Sequence, residues 1–221
     1  MNNMMFPLKS IEDERMLRLN TIKNNGAGVK EHFLCFLEGK FDKNDNKKII
    51  HAYDFTINIE YKHEGLCSDA YLAHPLRVAE MIIGTSNVAN SDYVILALLH
   101  NILEVSNVEK KLLEDEFGEL ISGSIATLTV NREKQNDSAY KDQYYKAINN
   151  GYDGMKVVKV LDKLDNLFIL GTNPDSDVRV AYMNEIRQYV IPLANCVLPN
   201  AVEYFNKLLE NTKNIGSISK K

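Results

Sequence analysis

The chain has 221 residues, 45% of them hydrophobic, and a formal net charge of −4. That length and apolar fraction suffice for one domain with a real core. The negative balance argues against a protein that grips phosphate backbones through a basic face, so no nucleic-acid partner is expected.

No apolar run approaches the roughly 20 residues of a membrane helix. Residues 1–10 lack the basic and apolar regions of a signal peptide. Three cysteines, Cys35, Cys67 and Cys196, have no CxxC spacing and read as reduced thiols. The expectation is a cytoplasmic protein without a membrane partner.

Ser10-Ile11-Glu12-Asp13 has the form of a capping box and opens a helix through Met16, Leu19 and Ile22, which Asn24-Asn25-Gly26 stops. A short helix over 29–37 sets Phe33, Phe36 and Leu37 on one side. Residues 41–48 read as a polar turn, with Asp45 or Asn46 as N-cap of a helix through Ile50, Tyr53 and Ile57. A loop covers 63–69. His74-Pro75 is placed where that loop becomes a helix, because proline is favourable in a first turn. This helix continues through Leu76, Val78, Ala79, Ile82 and Ile83 to Gly84.

Ser91 caps the next helix, whose strongest stretch is 95–106, ILALLHNILEVS. Leu96, Leu99 and Leu103 recur there at helical steps. Asn107 caps a helix to Phe117-Gly118, and Leu120, Ile121, Ile125 and Leu128 form a further stripe. Residues 130–138 read as a charged, mobile loop, and 140–148 as a helix that Asn149-Asn150-Gly151 breaks. The second strongly apolar helix covers 155–170, with Val157, Val158, Leu161, Leu164 and Leu167 inward. A long helix over 178–197 and a last one through Val202, Phe205, Leu208 and Leu209 follow, with a frayed end at 216–221. No segment alternates with period two and no repeat is visible. The fold class is all-α.

A histidine and an amide set back to back in an apolar run are expensive to bury without partners. Either His100 and Asn101 line a cleft, or they are well-satisfied core residues. Asp162 and Asn166 lie one turn apart on a face of the 155–170 helix. If His74, His100, Asn101 and Asp162 converge, two imidazoles and two oxygen donors make a mixed site suited to Mn²⁺, Fe²⁺ or Zn²⁺. Such an ion would activate water for attack on phosphorus, with Glu104, one turn past His100, as general base. Spacing alone supports a helical scaffold equally well. His32, His51 and His63 lie in polar surroundings and are expected to be exposed, while Tyr53, Tyr144 and Tyr145 read as core edge.

Several segments together resemble the HD-superfamily hydrolase domain of the RelA/SpoT homologues and small alarmone hydrolases, from about residue 52 to 195. Ala70-Tyr71-Leu72-Ala73-His74-Pro75 is similar to the family's PYIxHP, and Ala97-Leu98-Leu99-His100-Asn101-Ile102-Leu103-Glu104-Val105 to its ALLHDxxED. Phe117-Gly118 stands where the family has FG. Residues 156–167 resemble its KLxKLADRLxNL, and 189–195 its YAPLAN. The resemblance implies an HD-type helical bundle over 49–212, flanked by an N-terminal helical extension (1–48) and a disordered tail (213–221). It also implies Mn²⁺ held by His74, His100, residue 101 and Asp162, and removal of the 3′-pyrophosphate from the guanine nucleotide alarmone (p)ppGpp. Glu104 would be the catalytic acid–base, paired with an acid at 105, and Tyr71 and Asn166 would touch the nucleotide.

Three departures stand against that pattern. Residue 101 is Asn where the family has Asp, residue 105 is Val where it has the second acid, and the Arg-Lys pair before the histidine segment is missing. An amide is a neutral and weaker ligand than a carboxylate. The sequence therefore supports a metal-dependent nucleotide phosphohydrolase and, as the alternative, a catalytically impaired nucleotide-binding or regulatory module on the same fold.

Overall fold

The computed structural model describes residues 10–63, 65–85 and 89–218. Among them the chain is all-α, the only extended pairing being an isolated bridge between His63 and Leu66. In order come α1 (Ile11–Lys23), α2 (Val29–Leu37), α3 (Lys43–Ile57), α4 (Ser68–Gly84), α5 (Ser91–Leu99) and the single turn α6 (Ile102–Val105). Then follow α7 (Lys110–Leu128), α8 (Ser138–Asn150), α9 (Asp153–Leu170), α10 (Ser176–Glu185), a π-helical turn (Ile186–Val190), α11 (Ile191–Val197) and α12 (Ala201–Ile218).

Helix α9 is the hub. It packs against α1, α4, α5, α11 and α12, and Val157, Val158, Leu161, Leu164 and Leu167 are all buried as their spacing requires. Helix α5 is buried on nearly every side, from Val94 to Leu99, and it lies between α3, α4 and α9. An apolar surround of this kind fixes whatever polar residue is set into it, since none can move without opening the core.

Several boundaries differ from the sequence reading for local reasons. Asp42, not Asp45 or Asn46, caps α3, its Oδ1 accepting the N–H groups of Asn44 and Asp45 at 2.8 and 2.9 Å. Asn90 rather than Ser91 caps α5 in the same manner. Pro75 is not at the start of its helix but inside α4, two turns from Ser68, so the carbonyl of Tyr71 loses its usual donor.

The stretch 95–106 is not one helix. His100 Nδ1 lies 2.7 Å from the Ala97 carbonyl and takes up that acceptor, and the backbone turns at Asn101 before α6. The expected 178–197 helix is widened in its middle, where the Ile191 N–H reaches back to the Ile186 carbonyl. Pro192, which has no N–H to offer to the preceding turn, follows directly.

The expected outer segments are also helical. Helix α1 packs on α9 and α4, and the boundary drawn between 48 and 49 falls inside α3. Helix α12 extends to Ile218, into the segment read as a disordered tail. Thr212 is buried, and Ile215 and Thr212 lie over Gly171, where an added Cβ would meet Ile215 at 3.2 Å. Residues 219–221, and residues 1–9 of the segment weighed as a signal peptide, lie outside the described residues.

Candidate metal centre and adjoining cavity

His74 comes from α4, His100 from the turn after α5 and Asp162 from α9, three elements in mutual contact. His74 Nε2 is 3.2 Å from Asp162 Oδ1, and His100 Nε2 is 3.8 Å from the same oxygen. The two rings lie 5.2 Å apart between centroids. Among the described residues this trio is a group able to hold a metal ion, its ligand atoms all within 4.8 Å of one another.

The other ring nitrogens set the tautomers. A carbonyl can only accept, so His100 Nδ1 donates to Ala97. His74 Nδ1 donates to Asp165 Oδ2 at 2.8 Å; burial pushes the Asp165 carboxyl up, but Arg77 and Arg18 beside it hold it well below the usual carboxylate range. In the neutral rings both Nε2 atoms are then lone pairs, and both are buried without a hydrogen-bond partner. They point toward a carboxylate oxygen, and three acceptors converging in a buried site need a positive charge among them. Two imidazoles and one carboxylate are a donor set that fits a borderline-hard divalent cation. The same need appears in the proton affinity of His74: burial lowers it, yet the neighbouring carboxylates of Asp162 and Asp165 leave it above the ordinary histidine value.

Asp162 is engaged on both oxygens. Lys159 Nζ lies 2.9 Å from Oδ2, and Asn166 Nδ2 donates to Oδ1 at 2.8 Å. Burial pushes its carboxyl up, but Lys159 and the imidazoles hold it well below the usual range. Lys159, itself 3% exposed, is driven down by burial and back well above its ordinary value by Asp162 and Tyr144.

Asp162 also faces a cavity of about 550 Å³, within the range of ~300–1,000 Å³ typical of small-molecule sites. Its wall carries four cations (Arg132, Lys141, Lys159, Lys163) and four carboxylates (Glu104, Asp162, Asp177, Glu185). Glu185 bridges Lys163 at 2.7 Å and Lys141 at 3.0 Å and accepts from Tyr145 at 2.7 Å. Burial pushes its carboxyl up, but Lys163 and these hydrogen bonds bring it down to about 2. Tyr140, Tyr144 and Tyr145 give the wall an aromatic side.

The remaining expected site residues divide. Asn101 and Asn166 line this cavity, and the Asn101 side chain pairs with the hydroxyl of Tyr71. Tyr71 itself is 6% exposed, its ring packed at a tilt against those of Tyr61 and His63. Glu104 lines the cavity, but its Oε1 accepts the Val130 N–H at 2.7 Å and its Oε2 pairs with Arg132 at 2.9 Å. Position 105, where the resemblance places a second acid, points into the apolar core, and Val105 is 5% exposed. The loop read as mobile is tied down at its start by Glu104 and by the Tyr140 hydroxyl, which accepts the Asn131 N–H at 2.8 Å. His32, His51 and His63 are exposed. Tyr144 and Tyr145 are buried as well as cavity-lining.

Sequence reasoning assigned no role to Asp165, Lys159, Arg77 or Arg18. One signal was present: Lys159, Asp162 and Asp165 recur every three residues within the otherwise apolar stripe of α9 and are all buried.

The sequence matches no family model and no curated protein. Among solved structures, the chain is similar to one described as "a metazoan ortholog of SpoT" that "hydrolyzes ppGpp and plays a role in starvation responses". The two are 16% identical, with a TM-score of 0.59, over 77% of this chain and 96% of that one. The likeness is one of fold: an all-α architecture shared by the two chains.

Proposed function

We propose that this protein is an HD-type phosphohydrolase that holds Mn²⁺ on His74, His100 and Asp162, with Asn101 alongside. Its substrate would be a guanine nucleotide of the (p)ppGpp class, bound in the cavity beside Asp162, in the cytoplasm. The observation that carries this reading is the pair of buried, unpartnered Nε2 atoms aimed at one carboxylate oxygen.

The cavity wall supports it. Its four cations and four carboxylates cancel, so the wall alone has little attraction for a polyphosphate. A divalent ion at Asp162 would give the site a net positive charge. When bound, such an ion supplies Lewis-acid polarisation of a phosphoryl group and of an attacking water.

The chain's own groups do the rest. Lys159 and Asn166 hold Asp162 in its orientation. Asn101 and Asn166 present amides to the cavity. Tyr140 and Tyr144, whose rings stack at 6.0 Å, offer an aromatic wall for a base. Glu104 lines the same cavity and is the candidate general base, with the Val130 N–H and Arg132 already on its oxygens.

That last contact favours a second reading, a nucleotide-binding module without turnover, since Glu104 has both oxygens committed and position 105 carries no acid in the cleft. The test is metal analysis of protein purified without chelator, then Mn²⁺ titration, then pyrophosphate release from ppGpp. The hydrolase reading expects Mn²⁺-dependent release that is abolished in His100→Ala. Binding of Mn²⁺ and ppGpp without release selects the module. Failure to bind Mn²⁺ overturns both.

A further inference from the structure

We propose that Asp165, braced by Arg18 and Arg77, is the positioning residue that holds His74 in its cation-binding tautomer, which makes α1 part of the site. This inference rests on the reading of His74 as a ligand. Asp165 stands at a variable position of the motif resembled by 156–167, so nothing in that resemblance assigns it a role.

The geometry is specific. Asp165 is 1% exposed. Its Oδ1 accepts from Arg18 Nε at 2.8 Å and from Arg77 Nε at 3.0 Å. Its Oδ2 accepts from Arg77 Nη2 at 2.9 Å and from His74 Nδ1 at 2.8 Å. Arg18 is in turn fixed by Glu14 Oε2 at 2.7 Å, and its guanidinium lies 3.9 Å from the centre of the Phe168 ring.

A neutral imidazole can carry its proton on either nitrogen, and only the one with a bare Nε2 can offer that atom to a cation here. Each nitrogen faces a carboxylate, but only the Asp165 contact at Nδ1, at 2.8 Å against 3.2 Å to Asp162 at Nε2, is a hydrogen bond. It favours the proton on Nδ1 and makes the ring a stronger donor. The two-pronged contact from Arg77 and the single Nε–H of Arg18 keep the carboxylate from turning toward any other partner. Arg18 lies 147 residues from Asp165 in the chain and belongs to the segment expected to be an appendage. Its placement couples the docking of α1 on α9 to the orientation of His74.

A buried ion pair that merely pins α1 to the bundle would have the same distances, so the experiment must read the histidine and not only stability. In metal-free protein, long-range ¹H–¹⁵N spectra of the imidazoles should show His74 Nδ1 protonated from pH 6 to 9, with any loss of proton confined to Nε2. Calorimetry should show Asp165→Asn binding Mn²⁺ about 10–100-fold more weakly than wild type, the usual effect of removing such a partner. Arg18→Gln, which leaves Arg77 in place, should weaken it about 3–10-fold with the fold retained, an effect below that full loss.

A wild-type His74 bearing its proton on Nε2 with Nδ1 bare would overturn the inference, as would wild-type Mn²⁺ affinity in folded Asp165→Asn. If Asp165→Asn does not fold, the wild-type tautomer and the Arg18→Gln affinity decide. Absence of Mn²⁺ binding in the wild-type protein would instead refute the metal site itself, a failure visible before any variant is made.

Discussion

Replacing Lys159 by Met separates a cation site from an ordinary buried ion pair. The Lys159 ammonium sits 2.9 Å from Asp162 Oδ2 with both side chains almost fully enclosed. Methionine keeps most of the stem's volume and removes the charge. Taking away one partner of such a pair strands the other, at about 3–5 kcal/mol. Asn166 remains on Oδ1 and His74 can take up a proton, so the expected loss is at the lower end, about 3 kcal/mol. For a chain of this size that corresponds to a melting temperature lower by about 6–12 °C in chelator.

Mn²⁺ should reverse the loss. It supplies the positive charge that Asp162 lacks and no longer meets an ammonium across the carboxylate. Its affinity for Lys159→Met should exceed that for wild type by about tenfold, or ~1.4 kcal/mol. Scanning calorimetry with chelator and with saturating Mn²⁺, alongside a titration, gives all these quantities. Equal losses of melting temperature in both conditions, with unchanged affinity, would show that no cation binds at Asp162.

Asn101→Asp should tighten Mn²⁺ by at least about tenfold, since it adds a carboxylate on the cavity wall beside Asp162. Equal affinities by calorimetry would mean that residue 101 is not a ligand. Val105→Asp should not enhance turnover and should destabilise the fold by about 3 kcal/mol or more, because the carboxylate enters the apolar core; a melting temperature within a degree or so of wild type would refute the placement of that side chain. Glu185, brought from the usual 4.5 to about 2 against the push of burial, stabilises the folded state fully only above pH 4.5. That stabilisation, about 3 kcal/mol, is lost as the pH falls toward 2. In Glu185→Gln, urea unfolding should therefore be less pH-dependent across that window than in wild type, and parallel pH profiles for the two proteins would count against the bridge.

Much of the architecture was legible because it is written in local periodicity. The apolar spacing of α9, the capping Ser10 before α1 and the glycine break after α8 each depend on a few neighbouring residues. His74, His100 and Asp162 could be named from their motifs, and the structure brings them within 4.8 Å. The boundaries that moved did so where a side chain competed with the backbone, as His100 does for the Ala97 carbonyl, or where proline withdrew a donor, as at Pro75 and Pro192.

What the sequence by itself determined is therefore an all-helical chain with a histidine, a second histidine and an aspartate set into apolar faces. Only the tertiary structure decided what those polar residues meet. Asp165 is one more acid on a helix until Arg18, Arg77 and His74 close around it from 147, 88 and 91 residues away. Glu104 reads as a free base until Val130 and Arg132 occupy its oxygens. Periodicity assigns a residue to a face, but a buried charge takes its meaning from the groups opposite, and those are brought there by packing of the whole bundle.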